Sequence, residues 1–90
     1  MFTLTATHQF EKDYKLCKKR NLKILLIEKV FELLGKTGSL TAKYKSHKLR
    51  GNYEGFWECH IQPDWLLIWS TDVEQKEIQL IRTGTHSDLF

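Results

Sequence analysis

The sequence predicts an α+β fold: an N-terminal strand, two helices, and then antiparallel strands that form one sheet with the helices packed on one face. The apolar residues follow a two-residue period at the N-terminus and a helical period over the next 28 residues or so. From residue 46 onward, short apolar runs alternate with turn residues. Helices that are segregated from consecutive strands are typical of an α+β sandwich. A chain of 90 residues is expected to form one domain, residues 1–90.

The first two elements follow from a change of period. Residues 2–7 alternate apolar side chains with threonines, which predicts a short strand. Phe10, Tyr14 and Cys17 then recur at i, i+4 and i+7, so an amphipathic helix is predicted over about residues 7–19.

A second helix is predicted after Asn21, a residue that can cap a helix N-terminus. Its apolar stripe consists of Ile24, Ile27, Val30, Phe31 and Leu34. Gly35 is expected to end this helix in the left-handed conformation. Residues 36–46 are polar and lack a helical period, which indicates a loop.

The second half of the chain predicts an antiparallel meander. The strand-like segments are "SHKLR" (46–50), "FWECHI" (56–61), "WLLIW" (65–69) and "KEIQLIR" (76–82). Turn residues separate them in "GNYEG", around Pro63 and in "STDVEQ".

Charge is divided unevenly along the chain. The net charge is +3, but residues 1–50 hold twelve Lys/Arg against four Asp/Glu, whereas residues 51–90 hold two against seven. The basic half suits a polyanion such as nucleic acid or an acidic protein segment, although solvated helix faces would show the same pattern. Cys17 and Cys59 are too few for a disulfide-built secreted scaffold. With no signal-peptide pattern and no long apolar run, a cytoplasmic protein without a membrane segment is expected.

Strand register predicts a cluster of polar residues at one end of the sheet. In an antiparallel hairpin, the turn determines which residues face each other. Turns centred on residues 53, 62 and 73 place His47 opposite Cys59, His60 opposite Asp64, and Asp64 opposite Arg82. Each placement depends on where the turn is centred, and element boundaries read from sequence shift by two to four residues.

The C-terminal segment is expected to extend this cluster. Gly84 allows the backbone of "TGTHSDLF" to fold over the same end of the sheet. This would bring His86 and Phe90 to the other polar residues. The sequence therefore predicts a site that contains three of the four histidines.

Such a cluster suits acid–base cleavage of RNA. Histidine exchanges protons near neutral pH, with an ordinary pKa of about 6.5. One group would remove the 2′-OH proton, a second would protonate the departing 5′-oxygen, and Arg82 would hold the phosphate with its planar fork. Asp64 would either orient His60 or take a proton itself; an ordinary turn residue after Pro63 is the alternative.

A metal site is the competing use of the same residues. Three His and one Asp are an acceptable ligand set for zinc. However, His60 and Asp64 across a turn are not a strong metal signature, and Arg82 would repel a cation. We expect no metal and no cofactor.

Three segments give the chain a specific resemblance: "YKSHKLRG", "HIQPDWLLIW" and "RTGTHSDLF". In these segments, and in the order of its elements, it resembles the YafQ-like branch of the RelE/ParE toxin superfamily, which implies a RelE-like fold. The resemblance further implies a toxin of a bacterial toxin–antitoxin pair, an mRNA interferase that cuts mRNA without a metal, with the ribosome involved. It also implies a cognate acidic antitoxin as partner, with operator DNA bound only through the antitoxin complex.

Site residues are carried over position by position. The resemblance implies functional roles for His47, His60, Asp64, Arg82, His86 and Phe90, with Trp65 adjoining. We expect His47 or Asp64 to be the general base, His86 the general acid and Arg82 the phosphate clamp. Substrate contacts are expected from Trp65, Phe90, Lys45 and Arg50.

Two other classes of function fit the same fold. A ParE-like gyrase inhibitor acts by binding rather than by cleaving RNA, and a fold alone does not choose between them. An antitoxin-binding or operator-binding module without catalysis would use the basic half equally well. The histidine cluster favours the ribonuclease.

Overall fold

The protein is described here by a computed structural model that covers residues 1–90. Its strands are β1 (Thr3–Ala6), β2 (His47–Lys48), β3 (Trp57–Gln62), β4 (Trp65–Asp72) and β5 (Glu77–Gly84). Its helices are α1 (His8–Lys19), α2 (Ile24–Thr37) and α3 (His86–Leu89), with 3₁₀ turns at Ala42–Tyr44 and Gly51–Tyr53. The predicted α+β order is confirmed; the short helix α3 was not predicted.

The five strands form one sheet in the order β1-β5-β4-β3-β2. Strands β2 to β5 are antiparallel neighbours, as expected from their short connections. β1 pairs with β5 in the parallel direction, so the sheet is mixed rather than wholly antiparallel. Parallel neighbours need a long connection, and the two helices and three further strands between β1 and β5 supply it.

The core lies on both faces of the central strand β4. Trp65, Leu67 and Trp69 pack in the cluster that also contains the buried residues of α1 and α2, so both helices cover one face. Leu66 and Ile68 alternate with them and pack with Leu89 of α3 on the other face. Burial on both faces explains why "WLLIW" is continuously apolar.

The helix ends differ from the prediction in two places. Asn21 does not begin α2: it ends α1 in the left-handed region (φ 60°), with the Leu22 N–H on the Cys17 carbonyl at 3.2 Å. Gly35 does not end α2 either, because the helix continues to Thr37 and Gly38 (φ 76°) takes the left-handed position. Two glycines three residues apart offered equivalent stop signals, and the helix uses the second.

The strand registers also differ from the prediction. His47 faces Glu58 rather than Cys59, because the β2–β3 connection is centred half a residue earlier than expected. His60 faces Leu66 rather than Asp64, since Pro63 and Asp64 form a two-residue turn and the ladder has a bulge next to it.

The β4–β5 turn displaces Arg82 as well. Its four turn residues, 73–76, follow Asp72, whose carboxylate accepts the Gln75 N–H at 3.0 Å. A second bulge next to Ile68 shifts the ladder again, so Arg82 faces Ile68 rather than Asp64.

A buried ion pair joins α1 to the end of β5. β1 pairs only with residues 77–80, so the outer edge of β5 beyond Leu80 is free to meet α1. There the Asp13 carboxylate, 9% exposed, accepts from Arg82 Nε at 2.7 Å and Nη2 at 3.2 Å. It also accepts the Thr83 N–H at 3.2 Å. This carboxylate therefore holds helix and strand together.

The helix α3 is held against the sheet by its own cap and by α1. Thr85 and Asp88 form a capping box, each side chain accepting the other's backbone N–H. Arg20 donates to both Asp88 oxygens, at 2.7 and 3.3 Å. Gly84 (φ 155°) allows the approach, because a Cβ there would lie 2.7 Å from an Asp88 oxygen.

We predict that Asp13→Asn destabilises the protein by about 2–4 kcal/mol, because the half-buried Arg82 guanidinium loses its charged partner. Urea unfolding of the variant against wild type measures this change. Glu74→Gln, a substitution at an exposed turn carboxylate, is the control and should change the stability by less than about 0.5 kcal/mol. Equal stability of the two variants would contradict a structural role for the Asp13–Arg82 pair.

We also predict that acid detaches α3 in a defined pH range. The Arg20 hydrogen bonds, followed by those from Thr85, lower the pKa of Asp88 from 3.8 to about 2. Ionised Asp88 therefore stabilises the docked helix. This stabilisation is complete above about pH 4 and is lost as the pH falls through 2, where Asp88 becomes protonated in the folded protein.

NMR titration of the Leu89 amide should show this midpoint near 2, and Arg20→Gln should move it toward 3.8. A midpoint that does not respond to the Arg20 substitution would show that α3 docks without this ion pair.

Candidate active site

Three histidines from distant segments meet at one end of the sheet. His47 begins β2, His60 lies in β3, and His86 begins α3. Their ring centres are 6.5 Å apart for His47 and His60, and 6.0 Å apart for His60 and His86. His8 lies in α1 and has no contact with this group. The structure thus brings together the three histidines of the predicted cluster.

Asp64 in the tight β3–β4 turn orients His86. Its Oδ1 accepts from the His86 backbone N–H at 3.0 Å and lies 2.8 Å from the ring Nδ1. These contacts, the backbone one first, lower the pKa of Asp64, so the carboxylate is ionised at neutral pH. Nδ1 therefore carries the proton in this contact, which leaves Nε2 free on a half-exposed ring. The expectation that Asp64 orients His60 is wrong.

His47 has a carboxylate partner that the sequence prediction missed. Its Nε2 lies 3.2 Å from Glu58 Oε1, and its Nδ1 lies 3.0 Å from the Lys45 carbonyl oxygen. Both ring nitrogens thus face acceptor oxygens. In this arrangement His47 has no free nitrogen with which to accept a proton from substrate.

Glu58 itself is an unusual residue for the interior. It is only 4% exposed, and its second oxygen, Oε2, has no hydrogen-bond partner. A buried carboxylate with an unpaired oxygen costs stability. The alternation along β3 places Glu58 on the same face as His60, and the correct β2–β3 register would have placed it opposite His47.

His60 stands between the other two rings and forms no side-chain hydrogen bond. It is half-buried, and it lines two surface depressions that lie beside the cluster. Both ring nitrogens are therefore available to a substrate.

Arg82 is largely committed to the fold. Its Nε and Nη2 donate to Asp13, and its Nη1 donates to the Tyr53 hydroxyl at 3.5 Å. Its side chain is 24% exposed and has no contact with the three histidines. Asp13 uses the Nε–H and one N–H of Nη2, so the other N–H groups of Nη2 and Nη1 remain for a phosphate, and the expected phosphate clamp stays a prediction.

Trp65 lies in the core rather than at the site surface. It is 2% exposed, and its indole N–H donates to Thr83 Oγ1 at 3.0 Å. The substrate contact expected of Trp65 is thus wrong for its side chain. Its position directly after Asp64 explains why it accompanies the site residues in sequence.

Phe90 is the exposed aromatic residue of the site. It is 64% exposed, packs edge-on against Tyr53 at 5.4 Å, and lies 6.5 Å from the His86 ring. Lys45 and Arg50 are exposed on the segments that flank β2, and the Lys45 backbone holds His47 as described. An exposed ring beside the histidines is suited to stacking on an unpaired base.

The arrangement supplies the parts of a proton-transfer site. Two imidazoles, His60 and His86, have free ring nitrogens and ring centres 6.0 Å apart, so one phosphodiester can contact both. A third, His47, has both ring nitrogens beside acceptor oxygens. No group of three or more His, Cys, Asp or Glu side chains is arranged so that it could hold a metal ion. None of the helices has the length and apolar character needed to cross a membrane.

Known proteins are similar to this chain in sequence and in fold. The sequence profile of the family described as "Bacterial toxin of type II toxin-antitoxin system, YafQ" matches residues 2–90. The mRNA interferase toxin YafQ of Escherichia coli K12 is 39% identical over 83 residues, which are 91% of this chain and 88% of that protein.

Solved structures give the same relationship. A metal-bound toxin from Helicobacter pylori superposes with a TM-score of 0.90 at 37% identity, over the full length of both chains. YafQ in its E. coli complex with DinJ superposes with a TM-score of 0.87 at 36% identity, over 99% of this chain and 97% of that one. The predicted RelE-like fold is confirmed, and the chain belongs to the YafQ family of bacterial toxins of type II toxin–antitoxin systems.

Proposed function

We propose that this toxin is an endoribonuclease that cleaves mRNA by attack of a ribose 2′-oxygen on the adjacent phosphate. The observation that carries the proposal is the pair of facing imidazoles, His60 and His86, each with a ring nitrogen free. The E. coli relative named an mRNA interferase supports the same substrate class.

The proposed reaction needs one base and one acid. His60 takes the 2′-OH proton, the 2′-oxygen bonds to phosphorus, and the bond from phosphorus to the 5′-oxygen breaks. His86 donates a proton to that departing oxygen through Nε2, while Asp64 holds the ring in place through Nδ1. The products are a 2′,3′-cyclic phosphate on one RNA fragment and a 5′-hydroxyl on the other. His60 has gained a proton and His86 has lost one.

The remaining residues position and neutralise the substrate. His47, held between Glu58 and the Lys45 carbonyl, supplies positive charge to the phosphate oxygens as the transition state forms. Arg82 adds the N–H groups of Nη1 and Nη2 that Asp13 does not use. Phe90 stacks on the base of the nucleotide that departs with the 5′-oxygen, since its ring lies next to His86.

We further propose the partners that this activity requires. The E. coli relative forms a complex with DinJ, and a cognate acidic antitoxin would suit the basic N-terminal half of this chain. Cleavage takes place in the cytoplasm, on mRNA that is associated with ribosomes. Adding the antitoxin should raise the melting temperature, because it binds only the folded toxin.

We predict that His86→Ala lowers single-turnover RNA cleavage at least about 10²-fold, because the leaving oxygen loses its proton donor. The assay uses a defined RNA with EDTA present, first free and then on translating ribosomes, and identifies the cyclic phosphate. His8→Ala is the matched control, since His8 is exposed on α1 away from the site. Equal rates for the two variants would remove His86 from the mechanism, and no cleavage by wild type in either setting would favour a binding toxin.

We predict that Glu58→Gln lowers cleavage by at least about 10-fold while leaving the melting temperature unchanged or higher. The amide cannot stabilise a charged His47, but it removes a buried carboxylate whose second oxygen is unpaired. Thermal unfolding and cleavage are measured on the same preparation. Glu54→Gln, at an exposed carboxylate in the preceding turn, is the control. Loss of stability together with activity would show instead that Glu58 is only structural.

A further inference from the structure

His60 lines a shallow trough that neither His47 nor His86 lines. The trough consists of two adjoining depressions, of about 220 and 430 Å³, that share Lys43, His60 and Ile61. The smaller one is also lined by Leu26, Lys29 and Tyr44, and the larger one by Lys45, Gln62 and Pro63. The trough therefore lies between α2, the 3₁₀ turn before β2, and the end of β3.

The rim of the trough is cationic. Lys29, Lys43 and Lys45 contribute three ammonium groups, and no acidic side chain lines either depression. Lys29 has one carboxylate nearby, that of Glu32 at 3.8 Å. Lys43 lies over the Tyr44 ring, 5.1 Å from its centre, and forms no ion pair. These charges remain available to a polyanion.

The floor of the trough is apolar. Leu26, which is 36% exposed, lines the smaller depression together with Ile61 and Tyr44. An apolar floor with lysines along the rim suits single-stranded nucleic acid, in which phosphates contact cations and sugars or bases contact apolar surface.

We propose that the trough binds the RNA strand on the 5′ side of the cleaved phosphate. This inference rests on the proposed function, in which His60 takes the proton from the 2′-OH of the 5′ nucleotide while His86 and Phe90 serve the 3′ nucleotide. Because His60 lines both depressions whereas His86 and Phe90 line neither, the trough is assigned to the 5′ strand. Lys29 and Lys43 are thereby assigned as substrate-positioning residues.

The test compares RNA affinity as the strand is lengthened at either end. The probes are RNAs centred on a mapped cleavage site, with 2′-deoxyribose at that site to prevent reaction. One RNA is minimal, one carries four extra nucleotides on the 5′ side, and one carries four on the 3′ side. Lys29→Gln/Lys43→Gln is compared with wild type and with Lys12→Gln/Lys15→Gln, which removes two exposed lysines from α1.

The 5′ extension should tighten binding to wild type, and the Lys29/Lys43 variant should lose about 10-fold of that gain, with the salt slope reduced by about 0.7 for each phosphate contact removed. Its affinity for the minimal and 3′-extended RNAs, and its cleavage rate at saturating RNA, should match wild type. The α1 control should bind all three RNAs as wild type does.

The assignment would be overturned by no tightening with the 5′ extension, by an equal loss for both extensions, or by an equal loss in the α1 control. A variant that loses affinity for the antitoxin but not for RNA would likewise overturn it and assign the trough to the protein partner. Failure of the trough is distinguishable from failure of the proposed function, because the latter is decided by cleavage in wild type and His86→Ala. The cleavage proposal can be correct even where the assignment of the trough to the 5′ strand is wrong.

Discussion

The site depends on the docking of a four-residue C-terminal helix against the end of the sheet. A helix of this length does not form on its own, so contacts from other parts of the chain must hold it in place. Asp64 accepts the first N–H of α3, Arg20 holds Asp88, and Leu89 enters the second core cluster. His86 begins this helix and Phe90 directly follows it. Every contact that docks α3 therefore also positions a candidate functional group.

Two histidine–carboxylate pairs with different surroundings give the three imidazoles different roles. Asp64 is exposed, satisfied by two contacts, and leaves His86 one free nitrogen. Glu58 is buried, only partly satisfied, and leaves His47 none. Unsatisfied buried groups are found where function, rather than stability, selects a residue. The buried pair therefore suits fixed electrostatics, and the exposed pair suits proton transfer.

The α+β architecture could be predicted from the sequence because it depends on periodicity and on the order of the elements. The parallel pairing of β1, which was not predicted, changes neither the periodicity nor the order of the elements. The prediction that His47, His60 and His86 form one cluster is also confirmed. They lie near strand ends or near the C-terminal segment, and these parts of the chain meet at one end of the sheet. A small error in register does not move residues from one end of a sheet to the other.

The finer pairings could not be predicted, because each depends on a turn or bulge whose extra residue carries no distinct signal. An error of one residue placed Cys59 rather than Glu58 opposite His47 and so concealed the buried carboxylate. The Asp13–Arg82 pair was missed for another reason: it joins residues 69 apart in sequence across a helix–strand contact. No local sequence pattern indicates that a helix Asp on a polar face forms an ion pair with an Arg of a distant strand.

The measurement that tests the central claim most directly is the pH dependence of single-turnover cleavage in EDTA. If His60 is the base and His86 the acid, wild type should give a bell-shaped profile with two limbs. Replacing His86 by Ala should abolish the fall in rate at high pH, because that limb reports loss of the acid's proton, and should retain the rise at low pH. An unchanged profile in the variant, or one that loses the low-pH limb instead, would contradict this assignment of acid and base.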